Sequence, residues 1–319
     1  MRILNLELKS ANKLKIAILA LVSLFLFVFP VFVFSANEKN LYVDQNASGE
    51  QNGSSAHPFK TIKQAMEQAD NNTEVIVKEG EYEENVTIEK GVRLIGDEEG
   101  RTTIKAEHHE RPVVTMKDNT KIERFTVKDG NDGIHVENDA RTSIIRCVIK
   151  DNSSDGIDID ESRVADSKLV DIYKSRIHDN GRAGIYSGKK RLTIVDSEVE
   201  NNQSDGIDIE GGSNVWISGT SIKLNGGSGM KLRVDGSSIF TKDNDVRDNK
   251  RDGVAVFFSG ATGRINIQKT KLVDNAGFGI AKLQSTNSNL WTTTLTFDGL
   301  VNEFWGNRSG DISNPIFLR

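Results

Sequence analysis

From Glu74 onward, apolar residues come in short runs bounded by glycine, aspartate and asparagine, the pattern of buried strands separated by bends. Ser153 to Asp160 reads SSDGIDID, and Gln203 to Glu210 reads QSDGIDIE. Looser copies start at Asn131, Arg182, Gly227, Arg251 and Gly277. Their glycines, Gly133, Gly156, Gly184, Gly206, Gly229, Gly253 and Gly279, recur at steps of 22 to 28 residues. Self-similarity at that period predicts a solenoid of stacked coils, each too small to bury its own apolar face.

Four columns survive the variable step. Asn152, Asn180, Asn202, Asn225, Asn249 and Asn275 each stand four residues before a repeat glycine. Ile149, Ile177, Val199, Ile222, Val246 and Leu272 stand three residues before those asparagines. Eight before them come Ile144, Ile172, Ile194, Ile217, Thr241 and Ile267; five before come Cys147, Ser175, Ser197, Thr220, Asn244 and Thr270. Strands of successive coils pair in parallel at about 4.8 Å, so equivalent residues stack into ladders, and β-branched residues suit such strands. Asparagine is expected to take the left-handed backbone of a bend and to bond its neighbours up the ladder. Glycine is expected to supply backbone freedom where the next strand begins. Each coil reads as two or three short strands, which makes the chain an all-β, single-domain parallel β-helix.

These columns resemble the right-handed parallel β-helix of the pectate lyase and polygalacturonase superfamily, over roughly residues 40 to 312. The same fold serves many chemistries, so the resemblance speaks to architecture before activity.

The ends read differently. Arg2, Lys9, Lys13 and Lys15 precede an uncharged run from Ile16 to Phe34, and Ser35 and Ala36 offer small residues for a signal peptidase. Residues 1–36 are expected to be either a cleaved export signal or a retained membrane anchor. Either way the basic flank stays inside, so the β-helix is expected in an exported location, extracellular, periplasmic or at the cell surface. Residues 37–70 are expected to hold an opening strand at Leu41 to Val43, a loop, and an amphipathic capping helix opened by Pro58 and running to about Ala69. The repeats then fill 71–312, with Phe304, Trp305, Trp291 and Phe297 covering the far end and 313–319 as a tail.

Charge narrows the partners. Without residues 1–35 the chain carries 37 basic and 45 acidic side chains, a balance that argues against nucleic acid. One cysteine permits no internal disulfide, and Cys147 lies in the small-residue ladder as a structural thiol. His57, His108, His109 and His178 show no ligand spacing with cysteine. No nucleophile elbow or phosphate loop occurs.

Candidate chemistry sits beside the repeat glycines. The second and fourth residues after each glycine should point out of the sheet. The second column reads His135, Asp158, Tyr186, Asp208, Lys231 and Ala255, and the fourth reads Glu137, Asp160, Gly188, Glu210, Arg233 and Phe257. Asp155 and Asp205, like Asp158 and Asp208, should lie two coils apart, about 9–10 Å, at the edge of the spacing that inverting glycosidases use. Tyr186 or Lys231 could instead move a proton beside a sugar carboxylate held by Arg233, which is lyase or epimerase chemistry. Asp158, Asp160, Asp208 and Glu210 could serve as hard oxygen ligands for Ca2+, with Asp160 and Glu210 as the metal pair. His135, Lys231 and Arg233 would contact the substrate. The competing reading is plain: an outward column is polar by default, and aspartates near glycine serve turns.

The resemblance adds roles. Ser154 to Asp158 resembles the Asn-Thr-Asp-Gly-Ile-Asp segment of polygalacturonases, which implies an acid role for Asp155. Lys231 to Arg233 resembles their Arg-Ile-Lys substrate clamp in reverse. Ala183 stands where that family pairs aspartates, and no Gly-His-Gly segment occurs. The expectation is an exported protein that engages an extended polysaccharide, as a hydrolase, lyase or epimerase on uronate-containing glycans. The alternative is a non-catalytic surface or adhesion scaffold.

Overall fold

The computed structural model describes residues 39–163, 168–258, 262–283 and 295–313. The expected export or anchor segment, Trp291 and the tail beyond Ser313 lie outside them. Among the described residues no helix is long and apolar enough to cross a membrane.

Each coil contributes one strand to each of three parallel sheets. Sheet I has eleven strands, from Lys39–Val43 to Leu295–Leu300; sheets II and III have ten each, starting at Gly80–Glu83 and Val86–Ile88. Strands of sheet III are mostly three residues long, as at Ile134–Val136, Ile157–Ile159 and Ile207–Ile209, with a buried, half-buried, buried alternation. That alternation sends the isoleucines inward and the residue between them outward. The inner ladders of the three sheets merge into one continuous core. Each buried isoleucine contributes roughly 2–3 kcal/mol by leaving water, so the stack is held mainly by these ladders.

The polar bends are equally repetitive. Asn152 Nδ2 donates to Asn180 Oδ1 at 2.9 Å, Asn180 to Asn202 at 2.9 Å, and Asn202 to Asn225 at 3.1 Å. The ladder continues through Asn249 and Asn275 to Asn307. Each Oδ1 also takes a backbone N–H of the coil before it, as Asn202 does from Asn180 at 3.2 Å. The left-handed backbone is not theirs, however. It falls on the residue before, at Asp151, Asp179, Asn201, Leu224, Asp248 and Asp274, where φ is 52–59°. The ladder asparagines must aim their amides along the axis, and the preceding residue makes the bend.

The repeat glycines also serve another purpose than expected. None of the seven has a left-handed φ. A Cβ on Gly156 would stand 2.5 Å from Ile177 Cγ2, 2.7 Å from Asn180 Nδ2 and 2.7 Å from the Gly184 carbonyl. Close stacking of coils excludes the side chain there, and backbone freedom is not needed.

The one helix among the described residues, α1 (Ile62–Gln68), starts later than Pro58 suggested. Thr61 closes a capping box with Gln64, and Phe59 pairs with Val43 as an isolated bridge. The Glu84 carboxylate accepts the N–H groups of Ile62 and Lys63, both at 2.8 Å. Ile62, Ala65 and Met66 are buried, and the helix packs on the strands Lys39–Val43, Thr73–Val77 and Val86–Ile88. At the other end Phe304 packs on the core, whereas Trp305 is 56% exposed. Cys147 is buried, and burial pushes its thiol up to about 12, so it is inert.

Candidate site on the outer face of sheet III

The parallel register of sheet III places His135 beside Asp158, Asp158 beside Tyr186, Tyr186 beside Asp208, and Asp208 beside Lys231. Ala255 and Ala281 continue the column. All five polar residues are half-buried and point outward. The column read from the repeat is therefore a physical row.

Its members interact from one coil to the next. His135 Nδ1 lies 3.1 Å from Asp158 Oδ2, and Nε2 lies 3.6 Å from Asp160 Oδ2. The Asp158 contact, with Asp160 beside it, raises the imidazole pKa against the opposing effect of burial. Lys231 Nζ meets Asp208 Oδ2 at 2.6 Å, and Arg233 Nε lies 2.7 Å from Glu210 Oε2. Burial pulls the Lys231 ammonium down, but Asp208 outweighs it and the pKa is raised. The Arg233 guanidinium also lies over the Phe257 ring, 4.3 Å from its centroid. Burial, with Glu210, Asp208 and Asp158 nearby, raises the Tyr186 phenol, which stays protonated.

The residues before the glycines behave differently. Asp132 Oδ1 accepts the Asp155 N–H at 3.0 Å, and Asp155 Oδ1 accepts the Ala183 N–H at 2.8 Å. Asp205 Oδ1 accepts from Ser228 at 2.7 Å, and Asp252 Oδ1 from Phe278 at 2.7 Å. Asp155 and Asp205 are 4% and 8% exposed, each turned into the backbone of the next coil. Burial raises the Asp155 carboxyl to about 6, with the Arg182 guanidinium 3.4 Å away. Asp155 and Asp205, expected as an acid–base pair, thus each commit one carboxylate oxygen to buttressing a turn.

A cleft of about 500 Å³ opens beside the column, bounded by Asp158, Asp160 and Glu161 on one side and Glu210, Gly211 and Arg233 on the other. Tyr186, Lys189 and Gly188 lie between. Gly188 belongs there sterically: a Cβ would stand 2.7 Å from Glu161 N and 2.8 Å from its Cα.

The expected calcium pair does not converge. Asp160, Gly188 and Glu210 follow the paired Ile159, Ser187 and Ile209, so a full coil separates the two carboxylates. Ligands of one Ca2+ lie within about 5 Å of each other. Glu210 and Asp208 are each held by a cation instead. The set that does gather is His135, Asp158 and Asp160, whose donor atoms lie within 4.8 Å of one another.

Sequence patterns missed Lys190. It is 1% exposed at the turn leaving sheet III, and its Nζ has no hydrogen-bond partner among the described residues. Burial lowers its pKa, with Asp139, Asp160 and Asp118 opposing. A lysine beside Lys189 and Arg191 in the sequence looks like a solvated run, and nothing marked it as inward.

A family profile described as a right handed beta helix region matches residues 163–308. No curated protein matches the sequence. Among solved structures, the A-module of a mannuronan C-5 epimerase from Azotobacter vinelandii is 17% identical with a TM-score of 0.65, over 84% of this chain and 77% of that one. A pectate lyase is 16% identical with a TM-score of 0.57, over 84% and 80%. Pectin methylesterase from carrot is 13% identical with a TM-score of 0.53, over 88% and 90%. At such identities the likeness is one of fold. Its three parallel sheets, asparagine ladder and matched repeat region give the chain a right-handed parallel β-helix fold, the fold it shares with these structures.

Proposed function

We propose that the chain is an exported protein that engages an extended polysaccharide along the outer face of sheet III. The observation that carries this reading is the unbroken outward row His135, Asp158, Tyr186, Asp208, Lys231 beside an open cleft. A row with one functional group every 4.8 Å or so suits a linear polymer of sugar rings better than a compact ligand. Proteins of the same fold are named for action on mannuronan, pectate and pectin.

Within that reading the chemistry is proton transfer next to a sugar carboxylate. His135, steadied by Asp158, is the base, and the neutral Tyr186 phenol is the proton donor. Lys231 and Arg233 supply positive charge to the carboxylate, exchanging part of their pairing with Asp208 and Glu210. That assignment favours a lyase or epimerase over a hydrolase, since the buried Asp155 and Asp205 each commit one carboxylate oxygen to a turn.

The scaffold alternative draws support from the same ion pairs: Asp208 and Glu210 are already satisfied within the protein. Affinity electrophoresis of the chain in polyuronate and neutral-glycan gels separates the two. Retardation lost in His135→Ala and Lys231→Ala supports the glycan site; no retardation by any glycan leaves the scaffold.

A further inference from the structure

We infer that His135, Asp158 and Asp160 form a divalent-metal site selective for a zinc-class ion over calcium. The donor atoms of the three residues lie within 4.8 Å of one another, on adjacent strands of sheet III. The contact between His135 Nε2 and Asp160 Oδ2, 3.6 Å, is too long for a hydrogen bond. It is close to the edge of a tetrahedral site, where ligands about 2.1 Å from the ion stand about 3.4 Å apart.

Ligand type sets the selectivity. Imidazole suits zinc and its neighbours, whereas calcium takes oxygen. Three protein ligands leave at least one position for water or a substrate oxygen. Access is open, since the three side chains are 24%, 26% and 41% exposed.

The cleft's charge supplies an independent reason. Asp158, Asp160, Glu161 and Glu210 line it against Lys189 and Arg233. Such a cleft repels an anionic polymer unless a cation enters with it. The inference shares His135 and Asp158 with the proposed glycan site: an imidazole that holds the ion is not free as a base, and water on the ion's open position would take that role. Metal binding is measured without any glycan, so either can fail alone.

The test is calorimetric titration of the full chain with Zn2+ and, separately, Ca2+ at neutral pH. Tighter binding of Zn2+ than of Ca2+ by roughly tenfold or more is expected, with a similar loss of Zn2+ affinity in both His135→Gln and Asp160→Asn. Asp245→Asn on sheet II should bind as the wild type. Co2+ in place of Zn2+ should give visible absorption bands of low-symmetry coordination that His135→Gln removes. Calcium bound as tightly as zinc, zinc binding indifferent to His135→Gln, or no binding at all would each overturn the proposal.

Discussion

The ammonium of Lys231 lies 2.6 Å from the carboxylate of Asp208, one coil away in the same outward column. The pair joins neighbouring coils where water is partly excluded, the side chains being 35% and 14% exposed. Lys231→Met and Asp208→Asn should each destabilise modestly, and a double-mutant cycle by urea denaturation should return a coupling of about 1 kcal/mol. A coupling near zero would mean the contact is incidental to folding.

Asn202 gives a larger expected effect. Its Oδ1 accepts from both the backbone and the amide of Asn180, and its Nδ2 donates to Asn225 Oδ1 and the Ile177 carbonyl. Asn202→Ala removes all four bonds in a buried setting and strands their partners, at about 3 kcal/mol or more. Equilibrium denaturation reads this directly, and a loss below about 1 kcal/mol would contradict the ladder as a source of stability.

Asp155 carries a pH signature. Its carboxyl rises from 3.8 to about 6 in the fold, so its stabilising contribution is complete below the lower value and lost as pH rises through the upper one. Asp155→Asn keeps the acceptor for the Ala183 N–H while mimicking the neutral acid. The variant should therefore gain on the wild type between about pH 4 and 7, by about 1–2 kcal/mol once the lost Arg182 contact is allowed for. Melting curves at three pH values give the sign.

Gly188→Ala tests the cleft floor. The new methyl would meet the Glu161 backbone at 2.7–2.8 Å, which no rotamer relieves. A cost of about 1–3 kcal/mol is expected, together with a displaced Glu161 and weaker binding of any cleft ligand. Unchanged melting would place the Glu161 segment elsewhere.

Much of this protein was legible in its sequence because a solenoid repeats its constraints. Seven glycines and six asparagines at matched offsets disclosed the ladders, and the outward row from His135 to Lys231 followed from strand alternation alone. What stayed hidden was direction within a bend. Asp155 sits one residue before its glycine, and only the fold shows that it turns into the next coil and not toward solvent. Glu210 and Asp160 looked like partners because both follow a strand, yet ion pairing with Arg233 and the intervening Gly188 separate them. Lys190 shows the same limit, since the burial of a lysine beside other cations depends on which way one turn faces.

On the proposed reading the outer face of sheet III engages a linear glycan through His135, Tyr186 and Lys231. The most direct measurement incubates the chain, with and without divalent cations, with polymannuronate, polygalacturonate and neutral glycans in D2O. Proton magnetic resonance would follow exchange and configuration at C5, and ultraviolet absorbance would follow unsaturated ends. Deuterium at C5 or unsaturated ends are expected with a uronate polymer, reduced by about a hundredfold or more in His135→Ala. No exchange, no unsaturation and no binding of any glycan would contradict that reading.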